Sequence, residues 1–355
     1  MQDTHRCSGL DLLRIFSMLL ITAIHFVVYS KIMESDALTG FNRAWLAGVE
    51  SIMCVGVNSF AMITGYFECE KHARGERLFA LWFRTVALSI VLFAVMRALG
   101  VRFSGLNLLK TFLPISGMHY WYLVTYFALL IASPLLNLLV AQLGRRAHLL
   151  TCVVGFLMLC VYFSTDPFIE GELYIASSRG LIWFFYLYLV AAYFREYGCR
   201  IRRRTIACVA LAAFCALYAL NYRNIHTFWD AHLTDEYSAL AFLLTICVFL
   251  LVKGISVRAQ AVKRAIGALA ACSVYVYLIQ ENEMVRRWYW DLFRIPEHAG
   301  SGRLILLFFA SLLALWPCAL LVERALRLLA PLEKKLFAHL QASAHRVCAA
   351  IDRKI

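Results

Sequence analysis

The stretch GLDLLRIFSMLLITAIHF, residues 9 to 26, sets an arginine and a histidine inside an otherwise apolar run. Arginine offers a permanent, planar charge that grips phosphate or carboxylate through paired N–H donors. Histidine exchanges a proton near neutral pH and serves as a general base or as a nucleophile. Arg14 and His25 are eleven residues apart. At 100° per residue that is roughly 20° from three full turns, with a rise of about 16 Å along the axis. One helix face therefore carries both, at different depths. Ionisable groups inside a membrane helix usually face protein or a watery cavity and mark a functional path. Taken singly, each has a plainer reading: Arg14 snorkels or pairs with Asp11, and His25 hydrogen-bonds a neighbouring helix.

Further polar residues sit at the ends of other apolar runs. Glu50, Asn58, Ser59, Thr64 and Tyr66 fall on the second, Glu281 and Asn282 close the ninth, with Gln280 before them and Arg286 shortly after. Interhelical hydrogen bonding accounts for Asn58, Ser59 and Thr64. An acid ending a long apolar run needs a partner or an interface. Arg77 and Arg84 are seven residues apart, close to two turns; that alignment suits a phosphate-bearing ligand or, equally, anionic lipid headgroups. In LPISGMHYWYL, residues 113 to 123, Pro114 and Gly117 break regular structure. Tyr120, Trp121 and Tyr122 suit an interfacial aromatic belt. Ser116 and His119 beside them have loop chemistry only.

The elements that must position these groups are membrane helices. Of 355 residues, 62% are hydrophobic and 16% charged, with a mean hydropathy of +0.70, which is the signature of a polytopic membrane protein. The net charge of +13 lies in short clusters between apolar runs, a topology signal that excludes a nucleic-acid footprint. Twelve cysteines are scattered with no CxxC pair and no metal-ligand spacing, so they read as small helix residues and no metal site is expected. The absence of a small-residue cleavage site after the first run argues against a cleaved signal peptide.

With about 20 residues per span, ten candidates fall at 10–30, 46–67, 78–99, 119–141, 149–164, 180–194, 205–222, 238–253, 265–283 and 303–329. The fold expected is all-α, a polytopic membrane bundle of about ten helices. The connections 68–77, 142–148, 195–204 and 254–264 hold 13 Lys and Arg in 38 residues, against 9 in 82 for the alternate set. The positive-inside rule puts the first set, and both termini, in the cytoplasm. Asp166, Glu170, Glu172, Asp230, Asp235 and Glu236 then face outward. Residues 8–330 form one membrane domain, and 331–355 a basic cytoplasmic tail, either an amphipathic helix on the inner leaflet or unstructured.

Five stretches, in order, resemble the acyltransferase-3 family of bacterial integral membrane acyltransferases. They are GLDLLRIFSMLLITAIHF at 9–26, VNSFAMITGYF at 57–67, LFALWFR at 78–84, YWYLVTYFALLIASPLLN at 120–137 and VYVYLIQEN at 274–282. The resemblance covers roughly residues 8 to 330 and implies ten spans. It also implies transfer of an acyl group, usually acetyl, from cytoplasmic acetyl-CoA to a hydroxyl of an extracytoplasmic carbohydrate at a bacterial plasma membrane. In those terms Arg14 helps hold the donor and His25 belongs to the transfer centre. The last block often ends YLIHEN in similar proteins, whereas this chain has Gln280, which hydrogen-bonds but is no base near neutral pH.

On that reading acetyl-CoA is a co-substrate and no cofactor is permanently bound. Its phosphates lie near Arg77, Arg84 and Arg14, and its pantetheine arm extends toward His25, acting as base or as covalent carrier. Glu281 or Glu50 orients the imidazole, while Ser116, His119 and Trp121 present a polysaccharide or lipid-linked saccharide. Asp11, Asn58, Tyr66, Gln280, Asn282 and Arg286 are supporting polar groups, and membrane lipids are the surrounding partners. The competing readings are a proton-coupled transporter or flippase using Arg14 and His25 as its path, and a catalytically silent sensor or anchor. Oligomeric state is not encoded in these features. For topology, in a background without native cysteines, Ser177→Cys is expected to react with an impermeant thiol reagent from outside the cell and Arg202→Cys not to react; the reverse pattern would overturn the orientation.

Overall fold

The computed structural model describes residues 7–38, 40–70, 75–114, 120–162, 180–223 and 233–352, with side chains to residue 346. Among them the chain is helical and contains no strand. Ser116, His119, Asp166, Glu170, Glu172, Asp230 and Ser177 lie outside the described residues.

Fourteen helices follow one another among the described residues. They are α1 (Ser8–Ser30), α2 (Gly40–Met53), α3 (Val55–Glu68), α4 (Gly75–Ala98), α5 (Gly105–Phe112), α6 (Trp121–Gln142) and α7 (Arg145–Phe156), then α8 (Leu181–Tyr197), α9 (Arg203–Arg223), α10 (Ala239–Lys253), α11 (Gln260–Gln280), α12 (Glu283–Asp291), α13 (Arg303–Leu328) and α14 (Ala330–Asp352). Each of the ten expected apolar segments falls on a helix, α2 and α3 together forming one run. Among the described residues, eight runs are long and apolar enough to cross a membrane.

The other two, α8 with 17 residues and α10 with 15, would rise only about 25 and 22 Å against a hydrocarbon core of about 30 Å. On α8 the run Trp183 to Ala192 is almost wholly buried in protein, so it is hydrophobic on all sides because other helices surround it. By contrast, α4, α6 and α13 turn Ile90, Val91, Ile131, Leu135, Leu306 and Phe309 outward, as a lipid-facing surface requires.

The hub is α1, which packs on α2, α3, α10, α11 and α13. Helix α3 lies against α8, and α11 against both α1 and α13. Close approach of helices is permitted by glycine: a Cβ on Gly65 of α3 would stand 2.6 Å from Cα and 2.7 Å from the carbonyl oxygen of Tyr188 on α8. Because those atoms are backbone, the helices themselves would have to separate.

Residues 330–352 are helical. Helix α14 returns along α4, where Arg84 grips Glu333 through Nε at 2.8 Å and Nη2 at 3.2 Å and Phe79 meets Phe337. Gly65→Val is expected to destabilise the bundle by about 1–3 kcal/mol or more through overpacking, read as a lower thermal midpoint in detergent; an unchanged midpoint would contradict the close contact.

Candidate active site

Helix α11 ends because Asn282 caps the next helix, its side-chain oxygen accepting from the Met284 amide, as asparagine favours at an N-cap. That corner leaves Glu281 at the end of α11, buried, and turned toward α1. One carboxylate oxygen lies 3.2 Å from His25 Nε2. The Tyr29 hydroxyl donates to the same carboxylate at 2.8 and 3.1 Å. Arg286 Nη1, 3.4 Å from it, also donates to the Tyr29 hydroxyl at 3.3 Å, and its guanidinium lies over the Tyr29 ring. An arginine, a phenol and an imidazole thus surround one carboxylate. A carboxylate on one ring nitrogen fixes the tautomer and orientation of a histidine and stabilises its protonated form.

The corner itself is held from behind. Asn282 Nδ2 donates to the Tyr120 hydroxyl at 2.8 Å, which donates to the Leu278 carbonyl at 3.1 Å. Tyr120 is fully buried, and so does not belong to the interfacial belt expected of YWY; its hydroxyl is needed inside to hold the turn that carries Glu281. The two residues after it are also turned inward, Trp121 beside His25 and Tyr122 between two cavities.

A cavity of about 580 Å³ is lined by His25, Tyr29, Glu281, Arg286, Trp121 and Glu236, among others. A second, of about 390 Å³, holds Arg14 and Arg77, with small residues Ala270, Ala271 and Ser273 on its α11 wall. The two share three lining residues, Ile21 of α1, Tyr122 of α6 and Tyr277 of α11. One face of α1 runs past both, as Arg14, Met18, Ile21, His25 and Tyr29 lie three or four residues apart. On α11 the matching stripe is Ala270, Ser273, Tyr277 and Glu281. The Tyr122 amide donates to the Tyr277 hydroxyl at 3.3 Å. The Tyr122 hydroxyl is buried with no hydrogen-bond partner among the described residues, an arrangement that costs about 1–3 kcal/mol.

The other expected site residues divide between the cavities and their walls. Arg14 lies 3.6 Å from Asp11 and over the Phe67 ring. Arg77 donates through Nη1 to Glu68 at 2.9 Å. Arg84 does not join them at the cavity, being engaged with Glu333. Asn58 accepts from Trp183 Nε1 at 2.9 Å and donates to the Glu236 carbonyl at 2.7 Å, bracing the His25 cavity without lining it. Tyr66 is flanked by Arg195 and Lys253, 5.1 and 5.0 Å from its ring centre. Glu50 is half-buried on α2 and lines neither cavity. Gln280 also packs on α1, buried with its amide 3.8 Å from Met18 Sδ, and lines neither cavity. Sequence reasoning missed Tyr29, although it stands one turn beyond His25 on the same face, and missed the role of Tyr122 and Tyr277 altogether.

The structure is a polytopic helical bundle that encloses a buried histidine–carboxylate pair and, adjoining its cavity, a second cavity lined by Arg14 and Arg77. Residues 8–323 match the acyltransferase-3 family, described as an acyltransferase domain, and the chain belongs to that family: it is a membrane acyltransferase. No curated protein and no solved structure matches it detectably. Tyr29→Phe, which keeps the ring and removes the donor to Glu281, is expected to lower thermal stability in detergent by about 1.5–3 kcal/mol, the worth of a hydrogen bond to a charged group; no loss would mean that Glu281 is neutral or held by other groups.

Proposed function

We propose that the protein transfers an acetyl group from cytoplasmic acetyl-CoA to a hydroxyl of an extracytoplasmic carbohydrate, in the plasma membrane of a bacterium. The observation that carries this reading is the pair of cavities meeting at three side chains, one with two arginines and the other with the histidine–carboxylate pair. A basic chamber fits the phosphates of a CoA thioester. Arg77 uses only Nη1 on Glu68, and a guanidinium has five N–H donors, so further donors remain for a phosphate. The thioester arm then points toward His25.

In the His25 cavity the acceptor is a polyol. Trp121 supplies an apolar face for a sugar ring, and Asp235, Glu236 and Arg286 supply a polar rim. Neutral His25 takes the proton of the acceptor hydroxyl as its oxygen attacks the thioester carbonyl carbon. Glu281 stabilises the imidazolium. The tetrahedral adduct collapses as the C–S bond breaks, and the departing CoA sulfur receives the proton from His25, leaving an ester and free CoA. Gln280 needs no proton-transfer role in this scheme, because it is buried against Met18 and does not line the His25 cavity.

The test uses purified full-length protein and acetyl-labelled CoA, with thioester consumption and transfer of label as readouts. His25→Ala is expected to lose about 10²–10⁴-fold in rate, the usual contribution of a general base, while Arg84→Ala keeps most of it. Wild-type protein that neither binds nor consumes acetyl-CoA would overturn the reading.

A further inference from the structure

Given the donor reading above, on which this inference rests, we propose that Lys253, with Arg195 beside it, binds the phosphate on the ribose 3′-oxygen of the CoA donor and makes the protein selective for CoA over its 3′-dephospho form. The two cations stand at the end of α3, outside the cavity that Arg14 and Arg77 line.

Four helices bring a cation each to Tyr66, Phe67 and Glu68, the last residues of α3. Arg14 of α1 lies 5.5 Å from the centre of the Phe67 ring, and Phe67 meets Tyr66 edge to face at 5.6 Å. Lys253 Nζ of α10 and the Arg195 guanidinium of α8 stand 5.0 and 5.1 Å from the centre of the Tyr66 ring. Arg77 of α4 holds Glu68. Three of these cations meet a carboxylate: Arg14 has Asp11, Arg77 has Glu68 and Arg195 has Glu70. Lys253, half-buried, makes no ion pair among the described residues. Arg195 engages Glu70 through Nε and Nη2, so the N–H donors of Nη1 remain for an anion. A phosphate between the two would complete the charge balance and receive charge-assisted hydrogen bonds.

The order of groups along α1 matches the order of groups in the donor. A Cβ on Gly9 would stand 2.2 Å from the Val252 carbonyl oxygen and 2.8 Å from that of Lys253, so the end of α10 is pinned to α1 at Gly9. Gly9 precedes Arg14 by five residues, about 7.5 Å of rise, and Arg14 precedes His25 by eleven, about 16 Å. Along the helix come first Lys253, then the arginine cavity, then the histidine–carboxylate pair. In acetyl-CoA the ribose phosphate, the pyrophosphate and the thioester follow in the same sequence. Two other roles would suit a lysine here: a cation is favoured at a helix C-terminus, and an anionic lipid headgroup offers the same phosphate chemistry.

The experiment measures binding of acetyl-CoA and of 3′-dephospho-acetyl-CoA to purified full-length protein by calorimetry. Wild type is expected to bind acetyl-CoA about 10- to 100-fold more tightly than the dephospho form, the worth of hydrogen bonds to a charged group. Lys253→Met, which keeps a long side chain over Tyr66 and removes the charge, is expected to narrow that ratio to about threefold or less by weakening acetyl-CoA alone. Lys253→Arg is expected to keep the preference. Equal affinities in wild type, as a lysine serving only the helix end or a lipid headgroup would give, or a ratio unchanged in Lys253→Met, would overturn the site and leave the donor reading standing. A Lys253→Met protein that loses both ligands alike would also overturn the site, since the lysine would then be structural. Wild type that binds neither ligand would overturn the donor reading and the site with it.

Discussion

A carboxylate buried among membrane helices is costly unless it is paired and hydrogen-bonded, and the arrangement around Glu281 follows from that constraint. Its partners come from two helices: His25 and Tyr29 from α1, and Arg286 from α12. Glu281 continues the α11 stripe of Ser273 and Tyr277, at the residue where that helix stops. Asn282 supplies the stop, and Tyr120, reaching in from the start of α6, ties the stop to the Leu278 carbonyl. Four segments thus converge on one charge, and the central position of α1 in the bundle is the large-scale form of the same convergence.

The charge also divides the interior. On one side of Ile21, Tyr122 and Tyr277 lie His25 and Glu281, on the other Arg14 and Arg77, and matching stripes on α1 and α11 run past both cavities. Nothing in a simple helical bundle requires two such cavities, since tight packing would be more stable. Small residues on α11 and a phenol on α6 that is buried with no hydrogen-bond partner among the described residues fit room for a ligand better than a packing role. The same chain closes elsewhere, with Gly65 letting α3 and α8 approach to backbone contact and Arg84 clamping α14 to α4.

Much of the fold was legible in the sequence because lipid imposes a plain rule on it: a spanning helix must be long and apolar, and each of the ten apolar runs is a helix. The rule does not distinguish α8 from the longer spans, because a helix sheathed by protein has the same composition as one sheathed by lipid. At the site, the alignment of Arg14 with His25 followed from helical spacing alone, and that face does run past both cavities. The proximity of Glu281 to His25 is a contact across more than 250 residues of chain, which no spacing rule can supply. Arg84 shows the converse: its alignment with Arg77 was real, but a carboxylate on the C-terminal helix claims it. The rings of Tyr120 and Tyr122 were misplaced at an interface because aromatic clusters at span ends look alike whether they face lipid or line an interior.

The central claim is that Glu281 acts through His25 as one unit. It is tested most directly by a double-mutant cycle on kcat/KM for thioester consumption, comparing His25→Ala, Glu281→Gln and the two combined in folded, purified protein. Residues that act as a unit lose far less together than the product of their separate losses. The combined variant is therefore expected to be no slower than His25→Ala within about threefold, the scatter usual for independent sites. Losses that multiply would contradict the coupling and leave Glu281 with a role of its own.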